Sequence, residues 1–309
     1  MLDVGEPNDG FEYREILGSD CAGQTVLDYL SRRYSHTTPS VWRERLAAGR
    51  VLFDGTAADA ALVLEPGLSL VWRRPPWIEP RAPCTFALVY RDAHLLAVAK
   101  PRDLPTLPGG GFLTHTLLHV VRTRWPEAAP LHRLGRGTSG LVLCSRTPQA
   151  RRGATRAWTE RRVEKHYRAL VTGVPARSAF RIEDPIGRVP HPRLGDVYAV
   201  SAGGKAALTE VRVLASANGR SIVEARIPTG RPHQIRIHLA AAGHPLVGDS
   251  LYISGGVPGE HPGLPGDTGY WLHSHRLRLD HPITGRRLEL ECMPPSVLRV
   301  GSGCEGLGF

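Results

Sequence analysis

"TGRPHQIRIHLAAAGHPLVGDSLY", residues 229–252, is the stretch whose reading decides the fold. Its first half reads as a helix over "PHQIRIHLAAAG". Pro232 stands where a helix start tolerates proline, and Gly243 serves as the C-terminal stop. His233 and His238 suggest a metal, but they are five residues apart, so a helix does not place them on one face. With His132 and His244 they form no ligand set, and no metal is expected.

Outward from this stretch, strand-like runs alternate with helical ones. "LLAVAKP", "GLVLCSRT", "HYRALVTG", "LTEVRVL", "SIVEARIP" and "RLELEC" read as strands, and "THTLLHVVRTRW" and "QARRGATRAWTERR" as helices. No glycine-rich nucleotide fingerprint follows a strand, and "PGGG" at Pro108–Gly111 lacks the spacing of a phosphate loop. The pattern favours a mixed α+β sheet over a doubly wound one. The prolines of "WRRPPWIEPRAP", residues 72–83, exclude helix and central strand and mark a linker, dividing the chain into residues 1–80 and 81–309.

Before the linker, "TVLDYLSRRY" and "PSVWRERLAAG" read as two short helices, followed by strand-like "RVLFDG" and "LSLVW" with an Asp-Gly turn at Asp54 and Gly55. With Arg43, Arg45 and Arg50 as its basic residues, this segment resembles the small α-L RNA-binding domain.

The net charge of +10 calls for a polyanionic partner. Between Val121 and Arg177, 13 cationic side chains face three acids. Lys100, Lys165 and Lys205 are the only lysines, so the charge is almost all guanidinium, suited to bidentate phosphate contacts and base stacking. Five scattered cysteines without a C-x-x-C pair read as reduced thiols. No apolar run is long enough for a membrane helix, and the acidic N-terminus lacks an apolar core for a signal peptide; a cytoplasmic location is expected.

Four ordered blocks, "AKPRDLPTLPGGG" (99–111), "LHRLGRGTSGLVLCSRT" (131–147), "EKHYRALVTG" (164–173) and residues 229–252, resemble the RluA-type RNA pseudouridine synthases. "GKAALTEVRVL" (204–214) and "LHSHRLRLDHPITGRRL" (272–288) are weaker matches. The resemblance implies a mixed, mainly antiparallel sheet with flanking helices and a basic cleft. It also implies a structured ribosomal or transfer RNA partner, a flipped nucleotide, and neither metal nor nucleotide cofactor. A monomer is expected.

The resemblance places a nucleophilic Asp directly after Arg-Leu, where this chain has Gly135; Gly137 stands where a second carboxylate is often found. Tyr167 matches the tyrosine that stacks on uracil and is proposed to move a proton. Arg236 matches the arginine that pairs with the catalytic Asp; without that Asp the guanidinium lacks its partner, and an RNA phosphate or a carboxylate from elsewhere is the natural replacement. Arg133, Arg136, Thr138, Ser139 and Gln234 are the expected substrate-binding positions. Asp249, Asp103, Glu164 and Asp184 are the carboxylates available as substitutes. Two readings stay open: a synthase whose missing Asp is replaced, or a catalytically silent homologue that holds RNA, such as a ribosome-assembly factor.

Overall fold

The computed structural model describes residues 6–34, 37–191, 195–253, 255–256 and 263–300, so Cys304 lies outside the described residues. The chain divides into two compact units, residues 1–79 and 80–309. Among the described residues, no helix is long and apolar enough to cross a membrane.

The first unit runs β1 (Phe11–Ile16), α1 (Val26–Arg33), α2 (Pro39–Ala47), β2 (Val51–Phe53), β3 (Thr56–Ala57) and β4 (Ser69–Arg74). Thr25 caps α1 by accepting the Asp28 amide at 3.2 Å. Asp54 and Gly55 both take positive φ, as a two-residue hairpin turn requires, and join β2 to β3. The helices close over a core of Tyr29, Leu30, Trp42, Leu46, Val51 and Leu64.

The longest strand of this unit missing from the sequence reading is β1. "FEYREI" exposes most of its side chains, Phe11 and Tyr13 included, so its pattern carries no buried face. It is a strand because it pairs antiparallel with β4, from Phe11 opposite Arg74 to Ile16 opposite Ser69, giving the order β1-β4-β2-β3.

The second unit contains β5 (Ala87–Arg91), β6 (Leu95–Lys100), α3 (Leu117–Arg122), β7 (Ala129–Pro130), β8 (Ser139–Ser145), α4 (Pro148–Thr159), β9 (Glu164–Thr172) and β10 (Ala179–Ile182). It continues with β11 (Ile186–His191), β12 (Gly195–Val200), β13 (Thr209–Ala217), β14 (Arg220–Arg226), α5 (Gln234–Ala241), β15 (Leu272–Asp280) and β16 (Arg287–Glu291). The main sheet has the order β10-β13-β14-β9-β15-β8-β6-β5, with β7 on β8 and β16 on β15; β11 and β12 form a separate hairpin. This is the mixed, mainly antiparallel α+β architecture expected.

Only the β8–β15 pair is parallel among the described strands, at His273 opposite Ser139 and Ser274 opposite Gly140. Gly140 is glycine of necessity. Its φ is +106°, and a Cβ there would stand 2.2 Å from the Ser274 carbonyl oxygen. The centre of the sheet therefore closes at the residue where the 131–138 loop enters β8.

The sequence reading omitted β15 as a strand because "LHSHRLRLD" looks polar. The fold buries its His273, Ser274 and His275 by giving the rings backbone or side-chain partners. The start of α5 also differs from expectation. The helix begins at Gln234, with His233 as a left-handed N-cap residue at φ 56°, so Pro232 lies outside it. His233 is held there by the Tyr252 hydroxyl at 2.9 Å. Gly243 takes φ +83° just past the C-cap, as expected of the stop.

Candidate active site

Two adjoining cavities open where the 131–138 loop meets the start of α5. The inner one, about 110 Å³, is lined by Gly135 and Thr138 from the loop, Tyr167 from β9, Arg236 from α5, and Tyr270 just before β15. The outer one, about 480 Å³, brings in Arg136, Pro105–Gly109 and Pro265–Gly266. Arg133, Leu134, Gly135, Arg231 and His233 line both. Among the described residues no carboxylate lines either cavity.

The α5 wall is saturated with hydrogen bonds. Arg236 grips Asp249 through two bonds, Nε to Oδ2 at 2.7 Å and Nη2 to Oδ1 at 2.8 Å, and donates Nη1 to the Pro265 carbonyl at 3.1 Å. Its guanidinium lies 4.4 Å from the Tyr270 ring centre and 5.0 Å from that of Tyr252. Burial is the largest single influence and opposes its charge, but the Asp249 carboxylate and the neighbouring Tyr270 and Tyr252 together raise its pKa. The guanidinium is thus partnered by a carboxylate from outside the motif loop, that of Asp249, thirteen residues further along the chain.

Asp249 does not refill the nucleophile's place. Its side chain is wholly buried, and Oδ1 also accepts the Leu251 and Tyr252 amides at 2.9 and 3.0 Å. Its oxygens are occupied in fixing the turn that follows α5. The other carboxylates considered stand apart. Glu164 pairs with Arg278 and Arg287, Asp184 is placed by its carbonyl accepting from His238, and Asp103 is exposed on a left-handed residue.

Gln234 lines the inner cavity, but its amide is spent on the scaffold: Nε2 donates to Leu208 O and Thr209 Oγ1, and Oε1 accepts from Thr229 and Arg231 N. Ser139 is not brought to either cavity. Its hydroxyl meets His273 Nδ1 at 2.8 Å, while His273 Nε2 lies 3.1 Å from the Cys292 carbonyl. A carbonyl accepts only from N–H, so Nε2 carries a proton; in the neutral ring Nδ1 then accepts from the Ser139 hydroxyl. Burial pulls its pKa down to about 4, in agreement.

The loop wall is held from behind and open in front. Lys100, buried at the end of β6, donates to the carbonyls of Pro101, Leu104 and Arg136 at 2.9, 2.6 and 3.2 Å. Burial lowers its pKa to about 7 against the opposing charge of Asp103. His132 accepts the Leu143 amide at 3.0 Å and stacks on Trp158; burial brings it to about 4. Arg133 and Gly135 face solvent at the cavity mouth, and the half-buried Arg136 lies 5.5 Å from the Phe112 ring centre. Tyr167 forms the floor. Burial pushes its phenol up to about 12, and Ser274 stands opposite it across the sheet. It is a protonated hydroxyl at neutral pH.

In the first unit Arg43 and Arg50 are exposed. Arg45 is not free at the surface: it lies 4.6 and 4.5 Å from the Trp42 and Trp72 ring centres. The sequence reading missed Tyr270 and the positioning part of Lys100. Nothing local marks Tyr270, which sits outside every strong block. Lys100 carried a signal as a lone lysine among arginines, ending an apolar strand.

The family model for RNA pseudouridylate synthase matches residues 94–241. An uncharacterized RNA pseudouridine synthase of Synechocystis sp. is 41% identical over 88% of this chain and 95% of its own length. The chain belongs to the RNA pseudouridine synthase family. Another relative of the synthase is ribosomal large subunit pseudouridine synthase D of Neisseria meningitidis, 36% identical over 72% of this chain and 64% of that protein. Human RNA pseudouridylate synthase domain containing 1 is a structural neighbour with TM-score 0.56 and 28% identity, covering 70% of the synthase and 86% of that chain. Family membership covers the fold and the isomerase class; it leaves the chemistry at Gly135 to be argued from this site.

Proposed function

We propose that this synthase isomerises a uridine in structured ribosomal or transfer RNA, with the nucleotide turned out of its stack into the cavity between Gly135 and Tyr167. The observation that carries the reading is the paired cavity itself: a small recess floored by a buried phenol, reached through a larger mouth bearing Arg133, Arg136 and Arg231. A base-sized recess behind a guanidinium-lined mouth fits one flipped nucleotide on a polyanionic strand. Ribosomal RNA is favoured by the Neisseria relative, a ribosomal large subunit pseudouridine synthase. Arg43 and Arg50 of the first unit add phosphate contacts of the α-L kind. The isomerisation moves one glycosidic bond without redox or net charge change, so it calls for no cofactor. We place the synthase in the cytoplasm, acting as a monomer.

A second reading, a silent RNA-holding homologue, is favoured by one observation: the cavities lack a carboxylate among the described residues, and Asp249 is sealed. Tritium release from RNA labelled with 5-³H-uridine separates the two, using RNA from cells lacking this protein. Stoichiometric release by the wild type, lost in Tyr167→Phe at unchanged RNA affinity, supports the synthase. Silence of the wild type, with release by Gly135→Asp, establishes the RNA holder.

A further inference from the structure

The two loop glycines that replace carboxylates answer to the same neighbour. A Cβ at position 135 would stand 3.1 Å from the Tyr270 hydroxyl oxygen and 3.7 Å from Thr138 Oγ1. A Cβ at position 137 would stand 3.0 and 3.1 Å from Cζ and Cε1 of the same Tyr270 ring. Neither glycine has a positive φ, so the backbone does not demand glycine at these positions. What crowds a side chain there is the tyrosine, which would have to give by a few tenths of an ångström, joined at position 137 by the Thr268 Cα at 3.3 Å. The Tyr270 ring lines the inner cavity with Tyr167.

Its surroundings suit a reacting oxygen. The hydroxyl shares a 3.2 Å hydrogen bond with Thr138 Oγ1, so its direction is set. The Arg236 guanidinium lies 4.4 Å from the ring centre and is itself fixed by Asp249, which places a permanent cation against the ring. A preorganised cation beside a group that gains negative charge lowers the barrier to forming that charge. Arg236 thereby keeps a partner in the chemistry although the carboxylate of the motif is absent.

We infer that the Tyr270 hydroxyl is the catalytic oxygen of this site and does at the ribose what the carboxylate absent from position 135 would do. The inference rests on the synthase reading above. The phenolic oxygen bonds to C1′ as the N1–C1′ bond breaks, and the phenolic proton passes to N1 of the departing uracil. The uracil turns over, and C5 attacks C1′ while the Tyr270 C1′–O bond breaks. The C5 proton then returns to the phenolate oxygen, restoring Tyr270. One C–N bond is exchanged for one C–C bond, and no further reactant is consumed. Attack of a tyrosine oxygen on an anomeric carbon is known chemistry in sialidases.

The test is single-turnover tritium release from 5-³H-uridine RNA by the full chain, with RNA affinity and thermal melting recorded for each protein. Tyr270→Phe is expected to release tritium at least about 100-fold more slowly than wild type, with affinity and melting unchanged. Gly135→Asp/Tyr270→Phe, which removes the hydroxyl and puts a carboxylate into the space beside it, is expected to regain release. Thr138→Val keeps the ring, removes its hydroxyl partner, and is expected to slow release about tenfold; it stands as the second reading if Tyr270→Phe does not fold. Wild-type rates in Tyr270→Phe or in Thr138→Val overturn the assignment while leaving the synthase reading intact. So does a folded, RNA-binding double variant that stays silent. Absence of release by the wild type itself overturns both.

Discussion

The two walls of the cleft are built on opposite principles. On the α5 wall, Arg236, Asp249 and Gln234 are buried and every one of them is committed to protein partners. On the loop wall, Arg133 and Gly135 meet solvent, and only the backbone behind them is tied down, by Lys100 and His132. A buried charge without its counter-ion costs several kcal/mol, so the α5 wall has to be complete before any substrate arrives. An exposed guanidinium has no such debt and is available to phosphate. The same residue type, arginine, is therefore frame on one side and binding surface on the other.

Acid breaks the frame first, and this is the largest effect expected. His132, His233 and His273 are held near pKa 4 by burial, against 6.5 as the ordinary value. An unfolded chain binds these protons at higher pH than the fold does. The stabilisation from the neutral rings is thus complete above about 6.5 and is lost as pH falls toward 4. Linkage puts this on the order of 3 kcal/mol for the buried His273 ring, and less for His132 and His233, which are only partly buried. Urea midpoints measured across that window are expected to fall steeply, and a flat profile contradicts the buried neutral rings.

Next comes the ion pair. Asp249→Ala leaves Arg236 charged and buried and is expected to cost about 3 to 5 kcal/mol in chemical denaturation. A loss under about 1 kcal/mol would mean that the α5 wall is not the sealed one. Smallest in stability is Arg133→Gln on the loop wall. Its effect on unfolding is expected within about 0.5 kcal/mol. Its effect on RNA is larger: weaker binding and a salt dependence of log K reduced by about one counter-ion, read by filter binding at several salt concentrations. If Arg133→Gln destabilises the fold as Asp249→Ala does, the division between frame and binding surface fails.

How much of this was legible depends on what each feature rests on. The helices and the more buried strands showed in local periodicity, whereas short or edge strands such as β3, β5 and β10 to β12 did not. The α5 segment was legible as a block, but its N-terminus was misplaced because the bond between His233 Nδ1 and the Tyr252 hydroxyl oxygen sets the entry turn. Strand β1 was illegible because an exposed edge carries no apolar alternation, and β15 because its buried face is made of histidine and serine. Position 135 was legible as a departure from the family motif, and its consequence was not.

The sequence by itself determined the family, the α+β class, the excess of arginine and the absence of a carboxylate from the motif loop, because these are properties of residue order and type. Tertiary structure alone decided which carboxylate holds Arg236, where Ser139 spends its hydroxyl, which rings the Arg45 guanidinium covers, and that Tyr270 stands beside Gly135. The site contacts among them join residues 13 and 135 positions apart, Arg236 to Asp249 and Gly135 to Tyr270. No local pattern encodes a separation that only the closing of β8 on β15 brings within hydrogen-bond reach.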